Sequence, residues 1–98
     1  MSTGVLKAKQ FTSSTLVTGK RALFKQLIVF HAGSSDATIQ FYDLTAPPVG
    51  GEPHYVFSVY GKGYSNLPLV DPGVLFDDGI YVVVTAADMT VTVLYEEV

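Results

Sequence analysis

The sequence contains no cysteine and no tryptophan, and only 15% of its 98 residues are charged. The absence of cysteine excludes disulfide bonds, thiolate metal sites and a cysteine nucleophile, so stability must come from packing. The absence of tryptophan weakens the case for a sugar-stacking platform. Soluble domains usually carry about 25% charged residues. Uncharged side chains must therefore cover much of the surface, or a partner must cover part of it.

Long apolar segments are absent as well. No run approaches the about 18 residues that a membrane-spanning helix needs, and residues 1–20 lack the unbroken apolar core of a signal peptide. We therefore expect no membrane partner. A chain of 98 residues has enough material for one hydrophobic core, which predicts a single domain.

Charge is distributed unevenly along the chain. Residues 1–35 contain five basic residues and no acidic one, whereas residues 36–98 contain nine acidic residues and one lysine. Two interpretations are open: the halves mix in space and neutralise each other, or the surface is dipolar. Six basic residues in an acidic chain argue against nucleic acid as a partner.

Apolar and polar residues alternate with a period of two, which is typical of β-strands. In residues 21–32 (RALFKQLIVFHA) this places Phe24 and Phe30 on one face together with Ala22, Gln26 and Ile28. Further strands are predicted at 14–18, 37–43, 54–60, 74–76, 80–85 and 89–95. Residues 33–36 and 44–53 are predicted loops, and residues 61–63 and 66–73 a loop or sheet edge with little regular structure.

These patterns predict an all-β fold, a single antiparallel β-sandwich, either plain or in the jelly-roll arrangement. Residues 1–20 form an N-terminal arm or an edge strand in this prediction, and residues 21–98 form the sandwich.

Residues that could carry chemistry do not form a catalytic pattern. His31 and His54 lie inside predicted strands without a neighbouring glycine-flanked nucleophile, which favours structural roles. Asp77 and Asp78 precede Gly79 in a predicted turn, where their carboxylates can bond to the local backbone. No glycine-rich phosphate loop is present. We therefore expect no enzyme activity, no metal and no cofactor.

Two segments carry a resemblance to a known class of proteins. They are TIQFYDLTAPPVGG at residues 38–51 and the run from residue 69 to residue 97, in which FDDG precedes a final hairpin. They resemble small β-sandwich structural proteins of tailed bacteriophage particles. The resemblance implies a virion component assembled in the host cytoplasm, most simply a capsid decoration or cement subunit. Its implied partners are the major capsid protein and further copies of itself.

The sequence suggests two sets of candidate contact residues. In the first, the basic N-terminal segment docks on the acidic surface of a neighbouring subunit, with the contacts made by Val5, Lys7, Lys9, Lys20, Arg21 and Lys25. In the second, the chain is a carbohydrate- or receptor-binding module of a head or tail appendage, and Tyr60, Tyr64 and Asn66 bind the ligand.

Overall fold

A computed structural model of the chain describes residues 5–98 as strands joined by loops. The nine strands are β1 (Leu6–Phe11), β2 (Thr15–Thr18), β3 (Ala22–His31), β4 (Ala37–Tyr42), β5 (Tyr55–Val59), β6 (Tyr64–Pro68), β7 (Val74–Phe76), β8 (Ile80–Val84) and β9 (Met89–Glu97). Within this part of the chain, no helix is long and apolar enough to cross a membrane.

The strands form two antiparallel sheets. Sheet I has the order β1-β9-β3-β6, with β7 also paired to β3, and sheet II has the order β2-β8-β4-β5. Pairing is nested along the chain: β1 with β9, β2 with β8, β3 with β6 and β7, and β4 with β5. Such nesting over two sheets is the jelly-roll arrangement. The predicted antiparallel β-sandwich is confirmed, and its strand order is that of a jelly roll.

Aromatic rings join the two sheets in the core. Phe24 of β3 is fully buried and stacks on Phe41 of β4, with ring centroids 4.5 Å apart. The rings of Tyr55 and Phe76 meet Phe24 edge-on at 5.9 and 6.4 Å. Aliphatic side chains from both sheets complete this core, namely Leu27, Val29, Ile39, Val59, Ile80, Val82, Met89, Val91 and Val93.

Strand β3 departs from strict alternation at Lys25. Phe24 lies opposite Tyr95 of β9 and Gln26 lies opposite Leu94, so Lys25 is an extra residue in the ladder, a β-bulge. Beyond the bulge the alternation of inward and outward side chains is shifted by one residue. Phe30 therefore points outward, with 55% of its surface exposed. The prediction that Phe24 and Phe30 share one face is therefore wrong.

The bulge coincides with a change of partner strand. β7 pairs with residues 22–24 of β3, and β6 pairs with residues 26–30. The chain crosses between them beside Lys25, whose carbonyl oxygen accepts a hydrogen bond of 3.0 Å from the N–H of Leu69. Gly73, with φ of 103°, passes so close to the Phe24 carbonyl that a Cβ atom would collide with it. A glycine is needed at this crossing.

Residues 61–73 contain more regular structure than the sequence predicts. Tyr64–Pro68 forms β6, which pairs with β3 alone and is an edge of sheet I. Pro68, at the end of the strand, is compatible with an edge because the missing N–H is not needed there. The expectation of little regular structure is wrong for residues 66–68, although their position agrees with the predicted alternative of a sheet edge.

The described part of the N-terminal segment belongs to the sandwich. β1 pairs with β9 from Leu6 opposite Glu96 to Phe11 opposite Val91, and β2 pairs with β8. Both are edge strands, one in each sheet. The structure therefore has no division at residue 20 between an arm and a sandwich. Residues 1–4 of the predicted arm lie outside the described residues.

Candidate functional site

Both histidines hydrogen-bond to backbone carbonyl groups. Nε2 of His31 lies 2.7 Å from the Ser35 oxygen, and Nε2 of His54 lies 2.9 Å from the Leu75 oxygen. A carbonyl oxygen only accepts, so each Nε2 carries the proton. The His54 ring also meets the Phe76 ring edge-on at 4.7 Å. In residues 5–98 no hydroxyl group hydrogen-bonds to either ring, and both side chains hold loops against the sheets.

The carboxylate of Asp43 fastens the turn between β7 and β8. It accepts hydrogen bonds from the backbone N–H groups of Asp77, Asp78 and Gly79 at 3.0, 2.7 and 3.3 Å. Burial raises the pKa of Asp43, but these bonds and the nearby His54 outweigh that effect and lower it overall. The turn is as predicted, but Asp43 makes the backbone contacts expected of Asp77 and Asp78.

The adjacent Glu96 and Glu97 point to opposite sides of β9. Glu97 accepts hydrogen bonds from Lys7 at 2.7 Å and from Thr18 of sheet II at 2.6 Å, so it links the two sheets. Glu96 is only 8% exposed, and none of the described residues hydrogen-bonds to its Oε1. The described chain holds no cluster of three or more His, Cys, Asp or Glu residues placed for a metal ion.

The six residues of the predicted basic interface lie on three segments: Val5, Lys7 and Lys9 at the β1 edge, Lys20 and Arg21 between β2 and β3, and Lys25 in the bulge. The first two segments meet near Glu97, on which the charges of Lys7 and Lys20 both act. Three of them pair with acidic residues from the second part of the chain. Beyond the Lys7–Glu97 pair, Arg21 lies 3.5 Å from Asp77 and Lys25 lies 3.6 Å from Asp71.

The ion pair between Lys7 and Glu97 shifts the pKa values of both groups. The hydrogen bond and charge of Glu97 raise the pKa of Lys7. In return, the hydrogen bonds from Lys7 and Thr18, with the charges of Lys7 and Lys20, lower the pKa of Glu97. The basic and acidic parts of the sequence thus mix in space at these places, as the first interpretation of the charge distribution requires.

The three residues of the predicted ligand site lie around the β5–β6 turn. Tyr60 is 78% exposed just after β5, and Tyr64 is 65% exposed at the start of β6. Asn66 lies on β6, and its Oδ1 accepts a hydrogen bond of 2.5 Å from Gln26. An open groove lined by residues 12–14 and 84–87 includes none of the three. Tyr64 and Asn66 lie on an edge strand of sheet I.

Sheet II carries no charge. Its four strands, TLVT, ATIQFY, YVFSV and IYVVV, contain no acidic or basic residue. Because Ile39 and Phe41 face the core, the alternate residues Thr38, Gln40 and Tyr42 lie on the outer side. Strands that face water on one side normally alternate apolar residues with polar and charged residues. An outer sheet surface without charged residues is therefore unusual.

The outer side of sheet I is also largely apolar. Ile28 lies opposite Asn66, and Phe30 lies opposite Tyr64. These positions alternate with the core residues Leu27 and Val29, so their side chains point away from the core. We call this outer side the apolar face, and its nonpolar and aromatic residues are Leu6, Ala8, Leu23, Ile28, Phe30, Tyr64, Leu75 and Leu94. The sequence shows that the second half of β3 is apolar on both faces, as in a central strand or one whose outer face is covered by a partner, but without the bulge it places Phe30 on the same face as Phe24.

Comparisons with family models, with curated proteins and with solved structures find no match to this chain.

Proposed function

We propose that the chain is a non-enzymatic structural subunit that acts by packing against other protein subunits. The observation that carries the proposal is the near absence of unpaired charge on both broad sides of the sandwich. Sheet II has no charged residue in its strands, and of the two charged residues on the outer side of sheet I, Glu96 is buried and Lys25 lies 3.6 Å from Asp71. Surfaces of this kind are found where proteins associate.

We further propose that the assembly is the particle of a tailed bacteriophage, with the chain as a capsid decoration or cement subunit. The resemblance of residues 38–51 and 69–97 to phage structural proteins supports this assignment. Jelly rolls occur in viral capsid proteins, and also in lectin domains and cupins, so the fold agrees with the assignment without selecting it. The partners would be the major capsid protein and further copies of the chain.

Mass spectrometry of purified particles tests the assignment. Intact particles from the natural source, freed of host protein by a density gradient, should contain the chain in many copies relative to a known capsid protein. The lysate from which the particles were purified serves as the control for expression. A chain that is abundant in the lysate but absent from the particles would contradict the virion role.

A carbohydrate-binding role is the second candidate, and the exposure of Tyr60 and Tyr64 favours it. On this alternative, a glycan array probed with the chain should give binding that Tyr60→Ala and Tyr64→Ala both reduce. The Val49→Ala variant, in the long β4–β5 loop, serves as the matched control. A blank array, together with unchanged thermal stability in host polysaccharide, would count against this candidate.

A further inference from the structure

We propose that the apolar face is the contact between two copies of this chain, which pair about a two-fold axis. The pairing deepens the proposed function and rests on it, because a subunit that acts by packing must have a neighbour to cover such a face. Four features of the face support this choice of partner.

The first feature is the small amount of unpaired charge. Two charged residues lie on the face: Glu96 is in register between Leu6 of β1 and Leu23 of β3 and is 8% exposed, and Lys25, which follows the core-facing Phe24, lies 3.6 Å from Asp71. A partner with exposed acidic groups would have to bury them beside the Glu96 carboxylate, which is strongly unfavourable, and basic groups beyond the reach of Glu96 would be buried unpaired. The partner therefore needs an uncharged surface, and a second apolar face meets that requirement.

The second feature is that polar side chains on the face form hydrogen bonds with one another. Gln26 donates a hydrogen bond to Asn66 at 2.5 Å, and Gln10 donates one to Thr92 at 3.3 Å. Each of these amides uses one of its hydrogen-bonding groups within the chain, and the facing amides of the second copy can supply partners for the remaining groups. Buried polar groups cost little when they are already paired.

The third feature is size. The described chain measures 42 × 28 × 18 Å, and the shortest dimension crosses the two stacked sheets. An ellipse with the two longer dimensions as its axes covers about 900 Å², close to the about 800 Å² per partner that a stable complex of standard size buries. The broad side of the sandwich is large enough for a stable pair.

The fourth feature is the position of the large apolar side chains, of which Phe30 is exposed and Ile28 and Leu94 are half-buried. Ile28 and Phe30 lie on the central strand β3, and Leu94 lies on the neighbouring central strand β9. Apolar anchors near the middle of a face are the arrangement that gives interfaces most of their affinity. A two-fold pair uses the same patch on both copies and closes without further growth, so it yields a dimer and not a filament.

Analytical ultracentrifugation of the purified full chain over about 1–500 µM tests the pairing. The wild type should sediment as a dimer at the upper end. Phe30→Asp should raise the dimer Kd by about 100-fold or more, since a two-fold pair buries the new carboxylate twice. The matched control is Val56→Asp, an exposed residue on the outer side of sheet II, which should leave the Kd within about two-fold.

Circular dichroism at low concentration confirms that each variant is folded. If Phe30→Asp does not fold, Tyr64→Asp provides a second substitution on the apolar face. A wild type that stays monomeric throughout overturns the inference, as does a dimer that Val56→Asp disrupts while Phe30→Asp does not. Growth into open-ended oligomers also overturns it. A monomeric chain that is present in particles contradicts the pairing alone, whereas a dimeric chain absent from particles contradicts the virion role alone.

Discussion

Two phenylalanines on β3 provide a direct test of the bulge at Lys25. A strand without a bulge would place Phe24 and Phe30 on the same side, because they are six residues apart. In the structure Phe24 is fully buried between the sheets and Phe30 is 55% exposed on the apolar face. Replacing each with alanine makes the same chemical change on the same strand, so a difference in the unfolding free energy reports their surroundings.

The expected difference is large compared with the stability of the domain. Phe24→Ala removes the stacking on Phe41 and the edge contacts to Tyr55 and Phe76, and a buried Phe→Ala change costs about 3–5 kcal/mol. A domain of 98 residues has about 5–15 kcal/mol in total. Phe30→Ala should cost about 1 kcal/mol, mostly through lower β-propensity and partial loss of packing.

Urea unfolding followed by circular dichroism measures both costs, at a concentration low enough that the midpoint does not depend on protein concentration. In a thermal melt of the same samples, Phe24→Ala should lower the melting temperature by about 12–40 °C, at about 4–8 °C per kcal/mol. Phe30→Ala should lower it by less than about 8 °C. Equal losses for the two variants, or a larger loss for Phe30→Ala, would refute the bulge and the change of phase that follows it.

Three further substitutions test local features. Asp43→Asn should cost about 1–3 kcal/mol at pH 7, because the amide keeps one acceptor oxygen and places an NH2 donor where the second carboxylate oxygen accepts a turn N–H. The pKa of Asp43 is lowered by folding, so this cost is present in full above its unfolded pKa of about 4 and disappears as the pH falls through the lower folded value. A cost unchanged down to pH 2 would contradict this. Glu96→Gln should leave the unfolding free energy unchanged or raise it by about 1 kcal/mol, since it removes a buried charge with an unpaired oxygen. Thermal melting that shows a clear loss would mean that the carboxylate is bonded. Gly73→Ala should cost about 1–3 kcal/mol in a urea titration, owing to its φ of 103° and the Phe24 carbonyl beside it, and a neutral result would show that the crossing can move.

Local alternation was sufficient to predict most strands of this fold. The TIQFY and TVTVLY segments have polar residues at every second position, and both form strands within two residues of the predicted limits. Loops with several Pro and Gly residues, such as residues 44–53, were equally predictable, because those residues fix or free the backbone independently of tertiary contacts.

The bulge and β6 depend on contacts far apart in the sequence, and local patterns do not reveal them. Lys25 is extra only because two different strands, β6 and β7, pair with β3 on either side of it. β6 is a strand because it lies along β3, although its flanking glycines and Pro68 indicate a loop when taken alone. The apolar face followed from the bulge, so it could not be assigned before the phase of Phe30 was known.

The choice of residues on the outer surfaces distinguishes what folding requires from what association requires. Phe, Ile and Val are favoured in strands whatever they face, so apolar outer residues alone do not prove a partner. Threonine satisfies strand propensity equally well while remaining compatible with water, and β9 uses it at Thr90 and Thr92 on this same outer side. The neighbouring strand β3 places Ile28 and Phe30 directly opposite these threonines, where threonine would serve folding as well. Folding therefore does not account for the choice of large apolar residues there, whereas a covered face does.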